Sequence, residues 1–187
     1  MRIYTRRGDD GTTGLLYGGR VRKDSAAPAA YGEVDEAQAV LGLARADSEP
    51  GSELDQLLVS IERDLYVLMA ELATDPSHRD RLTAGTTLVT AEMVAALEPV
   101  IDDLSERFSP PAEFVVPGQN RLSAMLDLGR TVVRRAERHC MTAVAEDSHA
   151  LAYLNRLSDL LWTMARWQED EGYLAARRSE EEEEELP

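Results

Sequence analysis

The sequence predicts an all-α protein, a five-helix bundle preceded by an extended arm. Three observations carry this. Apolar residues recur at three- and four-residue spacing in five separate segments. Ala and Leu are plentiful while aromatics make up 5% of residues, a composition that favours helix. No segment alternates apolar and polar residues convincingly enough to read as part of a sheet.

Residues 1–30 are rich in Gly, Thr, Arg and Asp and lack an amphipathic period, so they read as an ordered loop or extended arm. The first helix is expected from Tyr31 to about Ala46, with Val34, Ala37, Leu41 and Ala44 on its buried face. Ser48-Glu49-Pro50-Gly51 breaks the pattern. A second helix follows from about Ser52 to Ala73, carrying Leu54, Leu57, Leu58, Ile61, Leu65, Leu68 and Leu72 as a stripe. Residues 74–89 are polar, contain Pro76 and Gly85, and read as a loop. A third helix begins near Thr90 and continues through Leu97, Ile101, Leu104 and Phe108. Pro99 falls inside it and is expected to bend it. Ser109-Pro110-Pro111 ends this helix, and 113–118 reads as an extended connector. Two long helices complete the bundle, at about 120–145 and 148–175. The expected layout is one domain over 1–178, with the arm at 1–30 and the bundle at 31–178. The tail at 179–187 holds six consecutive glutamates and is expected to be disordered.

The chain has 187 residues, enough for one domain with a proper core. Its formal net charge of −15 argues against a nucleic-acid or anionic-membrane partner. No apolar run is long enough to span a bilayer, and the N-terminus lacks the apolar stretch of a secretory signal. Cys140 is the only cysteine, which rules out an intrachain disulfide and fits a reducing cytoplasm. Lys23 is the only lysine, and the remaining basic residues are arginines. Acidic excess with almost no lysine suits solubility at very high salt, where self-repulsion is screened. This halophilic reading predicts stability that rises steeply up to molar KCl. An Arg-biased genome is the other explanation, and full stability in dilute buffer would favour it.

Four segments are candidates for chemistry. The arm carries YTRRGDDGTTG at 4–14 and GGRVRKD at 18–24. Glycines let backbone N–H groups approach an anion, and Thr hydroxyls with Lys or Arg charges can complete a phosphate cradle. The spacing is not that of a P-loop, and a mobile surface loop has the same composition. At 130–138, Arg130, Arg134, Glu137 and Arg138 fall within about a third of a helical turn, while Arg135 points elsewhere. Clustered arginines repel one another, so this face either meets an anion or is balanced by acidic neighbours. In the last helix, Asn155, Asp159, Trp162 and Arg166 share a face away from the Leu-rich stripe, which suggests a subunit interface or a ligand wall. Finally, Asp35 lies one position off the first helix's core stripe, where an arginine could pair with it. Metal-ligand spacing is poor: Glu146 and His149 form a single E-x-x-H, and Cys140 beside His139 reads as a core thiol.

In order and spacing, six segments resemble the PduO-type family of ATP:cob(I)alamin adenosyltransferases. They are YTRRGDDGTTG, GGRVRKD, YGEVDEAQAVLG, FVVPG, RTVVRRAER and YLNRLSDLLW. The resemblance covers roughly residues 3–175. It implies a ferritin-like, up-down five-helix bundle assembled as a homotrimer, with active sites between subunits. It also implies attack by Co(I) on C5′ of ATP, departure of the whole triphosphate and formation of adenosylcobalamin. ATP, cob(I)alamin or cob(II)alamin, Mg2+ and a monovalent cation such as K+ are the implied ligands. A reductase and an adenosylcobalamin-dependent mutase are the implied partners.

Residue by residue, Thr5, Arg6, Gly8, Asp9, Gly11, Thr12, Thr13 and Lys23 fall on the family's ATP-binding loop. Arg134 and Glu137 match residues that hold ATP and its metal, Mg2+ being assigned to Glu137, and Asn155 matches an ATP-contacting Asn. Arg130 matches an arginine that pairs across the subunit interface with an aspartate at the position of Asp35. Both are implied in catalysis and cobalamin binding. Phe114 matches a phenylalanine that displaces the lower axial ligand of cobalt. The chain departs from the pattern at Gln119, where a second Gly is frequent, at Asp127, where His is frequent, and at Arg7, where Thr is common. The alternative reading is a non-catalytic nucleotide- or cobalamin-binding trimer that carries adenosylcobalamin. A ligand-free bundle would leave the Gly/Thr arm and the Arg face without a purpose.

Overall fold

The computed structural model describes residues 3–169 and 172–176. The acidic tail expected at 179–187 lies outside them. Five α-helices form the body: α1 (Ala26–Asp47), α2 (Glu53–Leu72), α3 (Ala91–Ser105), α4 (Arg121–Cys140) and α5 (Ala150–Trp167). α1 packs on α2 and α4, α4 packs on α5, and α5 packs on α3. No described helix is long and apolar enough to cross a membrane.

The core lies where the apolar periodicity places it. Val34, Ala37, Leu41 and Ala44 of α1 are fully buried, as are Tyr153, Leu154, Leu157, Leu161 and Met164 of α5. Burial of each Leu contributes about 1.5–3 kcal/mol. α1 and α4 approach closely at Gly129, where an added Cβ would lie 2.8 Å from Leu41 Cδ2. Polar caps start the helices. Ser52 Oγ accepts from Asp55 N and Thr90 Oγ1 from Met93 N. Asn120 and Ser123 cap α4 reciprocally, satisfying two amides otherwise left without acceptors.

Several boundaries differ from expectation. α1 starts at Ala26, so the last five residues of the expected arm are helical. Pro28 sits in the first turn, where its missing N–H has no intrahelical acceptor to lose. α4 stops at Cys140 and α5 at Trp167, both short of the expected ends. A turn follows each helix, Met141–Ala143 after α4 and Gln168–Glu169 after α5, and apolar residues in the first and beyond the second extend the apparent period. α3 continues through Pro99 but ends before Phe108.

The arm does contain a small sheet. β1 (Thr12–Gly14) pairs antiparallel with β2 (Arg20–Arg22), with Thr13 opposite Val21. Three-residue strands are too short to display an alternating pattern. Gly18 and Gly19 adopt positive φ in the connecting turn, a conformation glycine accepts without a Cβ clash. The loop expected at 74–89 contains a 3-10 helix at Pro76–Arg81. Buried Glu71 organises that loop: Oε1 accepts from Arg79 at 3.0 Å and Oε2 from Val89 N at 2.9 Å.

Candidate functional site

The first part of the site is the arm. Its hairpin is fastened to the bundle at the end of α2: Leu16 N donates to Ala73 O at 2.7 Å. The Arg81 guanidinium stands 4.9 Å from the Tyr17 ring centroid, and Arg81 Nη1 donates to Tyr17 O. Both contacts bring the arm against the 3-10 helix. Within the arm, Asp10 Oδ1 accepts from Thr12 N at 3.0 Å and from Thr12 Oγ1 at 2.7 Å. Those hydrogen bonds hold the Asp10 carboxyl below the usual carboxylate range. Lys23 N donates to Gly11 O, which closes the loop. Gly8 faces Lys23 Nζ and Thr12 O at a distance where an added Cβ would lie 3.1 Å from each. Gly8, Gly11, Thr12 and Lys23 therefore converge, with Thr13 beside them in β1. Thr5 and Arg6 precede them, Asp9 follows Gly8, and all three are exposed. Arg20 was not singled out in the sequence. Its Nε donates to Thr12 Oγ1 at 3.0 Å and its Nη2 to Arg7 O at 2.5 Å, tying the arm to β2.

The second part is the arginine face of α4 with the facing turn of α5. Glu137 and Asn155 come together, Asn155 Nδ2 donating to Glu137 Oε1 at 3.2 Å. Arg134 is exposed, and its carbonyl accepts from Arg138 Nη1 at 2.8 Å. No acidic partner of Arg134 is found among the described residues. Arg135 does point away, and pairs with Glu33 and Glu36 on α1. Those carboxylates raise its pKa further. Arg134 is thus left free on a face where Glu137 is already held. No group of three His, Cys, Asp or Glu suited to a metal occurs among the described residues. A single carboxylate nevertheless fits Mg2+, which is commonly held by one or two carboxylates together with substrate phosphates.

The third part is a cavity of about 680 Å³ beneath the 112–117 connector. Phe114, Asp127, Arg130, Trp162 and Arg166 line it. Phe114 is 89% exposed, unusual for a side chain of that size. Its backbone is fixed all the same. Val116 N donates to Leu174 O at 2.8 Å and Ala176 N donates to Phe114 O at 2.7 Å, so 174–176 runs beside the connector as a short antiparallel bridge. Of the four α5 residues read as one polar face, Trp162 and Arg166 form this wall. Asn155 serves Glu137, and Asp159 pairs with Arg156. Arg166 itself is buried, bonded to Asp127 and to Glu169, a residue that sequence reasoning missed.

Arg130 and Phe114 therefore share one cavity, and Arg134, Glu137 and Asn155 form a cluster beginning one helical turn beyond it. Among the described residues no hydrogen bond or ion pair joins the arm to that cluster, and Asp35, exposed on α1, has no charged partner. Cys140 is fully buried between helices, and burial pushes its thiol up to about 12, as befits a core side chain.

Residues 3–168 match the cobalamin adenosyltransferase family model. A corrinoid adenosyltransferase of Citrobacter freundii is 43% identical over 172 residues, covering 90% of this chain and 95% of that protein. One of Mycobacterium tuberculosis is 39% identical, covering 88% of this chain and 87% of that protein. Among solved structures, a histidine-for-phenylalanine variant of the PduO-type ATP:corrinoid adenosyltransferase from Lactobacillus reuteri, complexed with cobalamin and ATP, superposes with a TM-score of 0.84. It is 28% identical, with 96% of this chain and 98% of that one covered. The shared helical architecture, the convergent Gly/Thr arm and the match along nearly the whole chain lead to one conclusion: this chain belongs to the cobalamin adenosyltransferase family.

Proposed function

We propose that the chain transfers the 5′-deoxyadenosyl group of ATP to the cobalt of cob(I)alamin, forming adenosylcobalamin and releasing triphosphate. The observation that carries this reading is the adjacency of two unlike subsites on α4. Arg134 with Glu137 and Asn155 suits a polyanion, and the Phe114 cavity suits a large apolar ring with polar edges.

In this reading the arm supplies Thr5, Arg6, Gly8, Asp9, Gly11, Thr12, Thr13 and Lys23 to ATP. Arg134 presents a planar fork of donors to the triphosphate, whose charge grows as it departs. Glu137, oriented by Asn155, would hold Mg2+, which neutralises phosphate charge when bound. The protein performs little covalent chemistry itself. Co(I) is the nucleophile, C5′ accepts its electron pair, and the C5′–O bond breaks with both electrons going to triphosphate. Catalysis is therefore alignment of cobalt with C5′ and stabilisation of the leaving group. Phe114 would sit against the lower face of the corrin and exclude a lower axial ligand. Loss of that donor makes Co(II) easier to reduce. A reductase must then supply the electron, and an adenosylcobalamin-dependent enzyme such as a mutase must take the product, within a reducing cytoplasm where K+ is also at hand.

The same reading includes a homotrimer with sites between subunits. Its support is Asp35, exposed and without a charged partner among the described residues, a separate arm, and the large apolar side chains Leu43 and Leu128 exposed on α1 and α4. Asp35 of one subunit would pair with Arg130 of the next. Replacing Asp35 with Asn is expected to raise the concentration at which the trimer dissociates by at least about tenfold, measured by analytical ultracentrifugation. An unaffected trimer with normal kinetics would refute the pair.

The activity itself is tested anaerobically with Mg-ATP and chemically reduced cobalamin. The cob(I)alamin absorbance band should fall as the adenosylcobalamin spectrum grows, and light should then destroy the product. Binding of neither ATP nor cobalamin would overturn the proposal.

A further inference from the structure

Asp127, Arg130 and Arg166 meet in the wall of the Phe114 cavity, and Glu169, which lines the neighbouring cavity, backs Arg166. Arg166 and Asp127 are each 4% exposed and Glu169 is 6% exposed. Arg166 Nη2 donates to Asp127 Oδ2 at 2.6 Å and to Glu169 Oε1 at 2.8 Å. Its guanidinium also stands 5.8 Å from the ring centroid of Trp162, another wall residue. The second oxygen of Asp127, Oδ1, faces Arg130 Nε at 3.5 Å. That contact is an ion pair without a hydrogen bond, and Arg130 Nε is buried without an acceptor. Two cations and two carboxylates thus balance, and one carboxylate is shared between a buried arginine of α5 and a half-buried arginine of α4.

Such a network needs a reason. Taking ions out of water costs several kcal/mol each, and apolar side chains fill helical bundles at least as stably. The arrangement does achieve one thing that apolar packing would not. Asp127 lies one turn before Arg130 on α4, and Arg166 fixes the Asp127 carboxylate from the neighbouring helix. A long flexible arginine beside a fixed carboxylate loses its alternative rotamers before a ligand arrives, which lowers the ordering cost of binding. We infer that Asp127 is a positioning residue for Arg130: anchored by Arg166, it presets the Arg130 guanidinium in the wall of the corrinoid cavity. The inference rests on the corrinoid reading of that cavity.

The test is a double-mutant cycle on the full-length chain, with chemically reduced cob(I)alamin as varied substrate. Asp127→Asn and Arg130→Met should each raise the KM for cob(I)alamin by about tenfold while leaving the KM for ATP within about twofold. The double variant should be no worse than Arg130→Met alone, because Asp127 acts only through Arg130. Losses that multiply in the double variant, or an unchanged corrinoid KM in Asp127→Asn, would overturn the positioning role while leaving the cavity's assignment intact. An unchanged corrinoid KM in Arg130→Met would overturn the cavity's assignment and the inference with it. Thermal melts establish that each variant folds. Should Asp127→Asn fail to fold, Asp127→Glu, which keeps the network's charge but moves its oxygens, enters the same cycle with the same expected outcome.

Discussion

Turnover with chemically reduced cob(I)alamin is expected to fall about 10²–10³-fold when Arg134 is replaced by Ala. The structure explains why this arginine stands apart from its neighbours. Arg135 is committed to Glu33 and Glu36, and Arg130 is paired with Asp127. Arg138 bonds back to the Arg134 carbonyl. Among the described residues, Arg134 alone of these four arginines offers an exposed guanidinium with no bonded partner beside the Glu137–Asn155 pair. In the proposed reading, its removal would take charge-assisted hydrogen bonds from a leaving group that gains negative charge in the transition state. Since the side chain is exposed, stability should change by no more than about 0.5 kcal/mol, so the loss reads as chemistry. Arg134→Lys keeps the charge without the planar fork and should fall between the two. Near-normal turnover in the Ala variant would remove Arg134 from the site.

The second large effect is expected at Phe114 and depends on the cobalt oxidation state supplied. Phe114→Ala should reduce the rate of the route that begins from cob(II)alamin at least about tenfold more than the rate of the assay fed cob(I)alamin. The side chain contributes almost nothing to the core, being largely exposed on a connector whose backbone is held by Leu174 and Ala176. Its loss should leave folding untouched. What it would remove is the apolar surface that keeps a donor ligand away from the lower face of cobalt. Equal losses by both routes would refute that role and leave Phe114 as a simple binding contact.

The helices were legible because their burial is periodic. Every core position expected in α1 is buried, and the polar caps Ser52, Thr90 and Asn120 start their helices as the sequence suggests. Helix ends were less legible, since Met141, Ala143 and Val144 just after Cys140, and Tyr173 and Leu174 beyond Trp167, extend the apolar run without continuing the helix. The strands are not legible in the sequence because three residues carry no alternation.

In the site, the spacing of Glu137 and Asn155 on their own helices says nothing about their meeting. That contact depends on how α4 crosses α5. Arg166 shared a helical face with polar residues and read as exposed or interfacial. It is buried because Asp127 and Glu169 close over it, a contact set by chain segments 39 residues and 3 residues away. Arg20 sat inside a recognised motif, yet its bond to Thr12 required the hairpin. Asp127 stood out only as a departure from the family's usual residue.

Phosphorus NMR of the anaerobic reaction tests the central claim most directly, because it reports which bond of ATP breaks. With Mg-ATP and cob(I)alamin, the account predicts one triphosphate released for each cobalt alkylated, with no ADP. ADP with phosphate, or AMP with pyrophosphate, would contradict transfer at C5′. Intact ATP, with both ligands still bound, would identify a carrier instead of an enzyme.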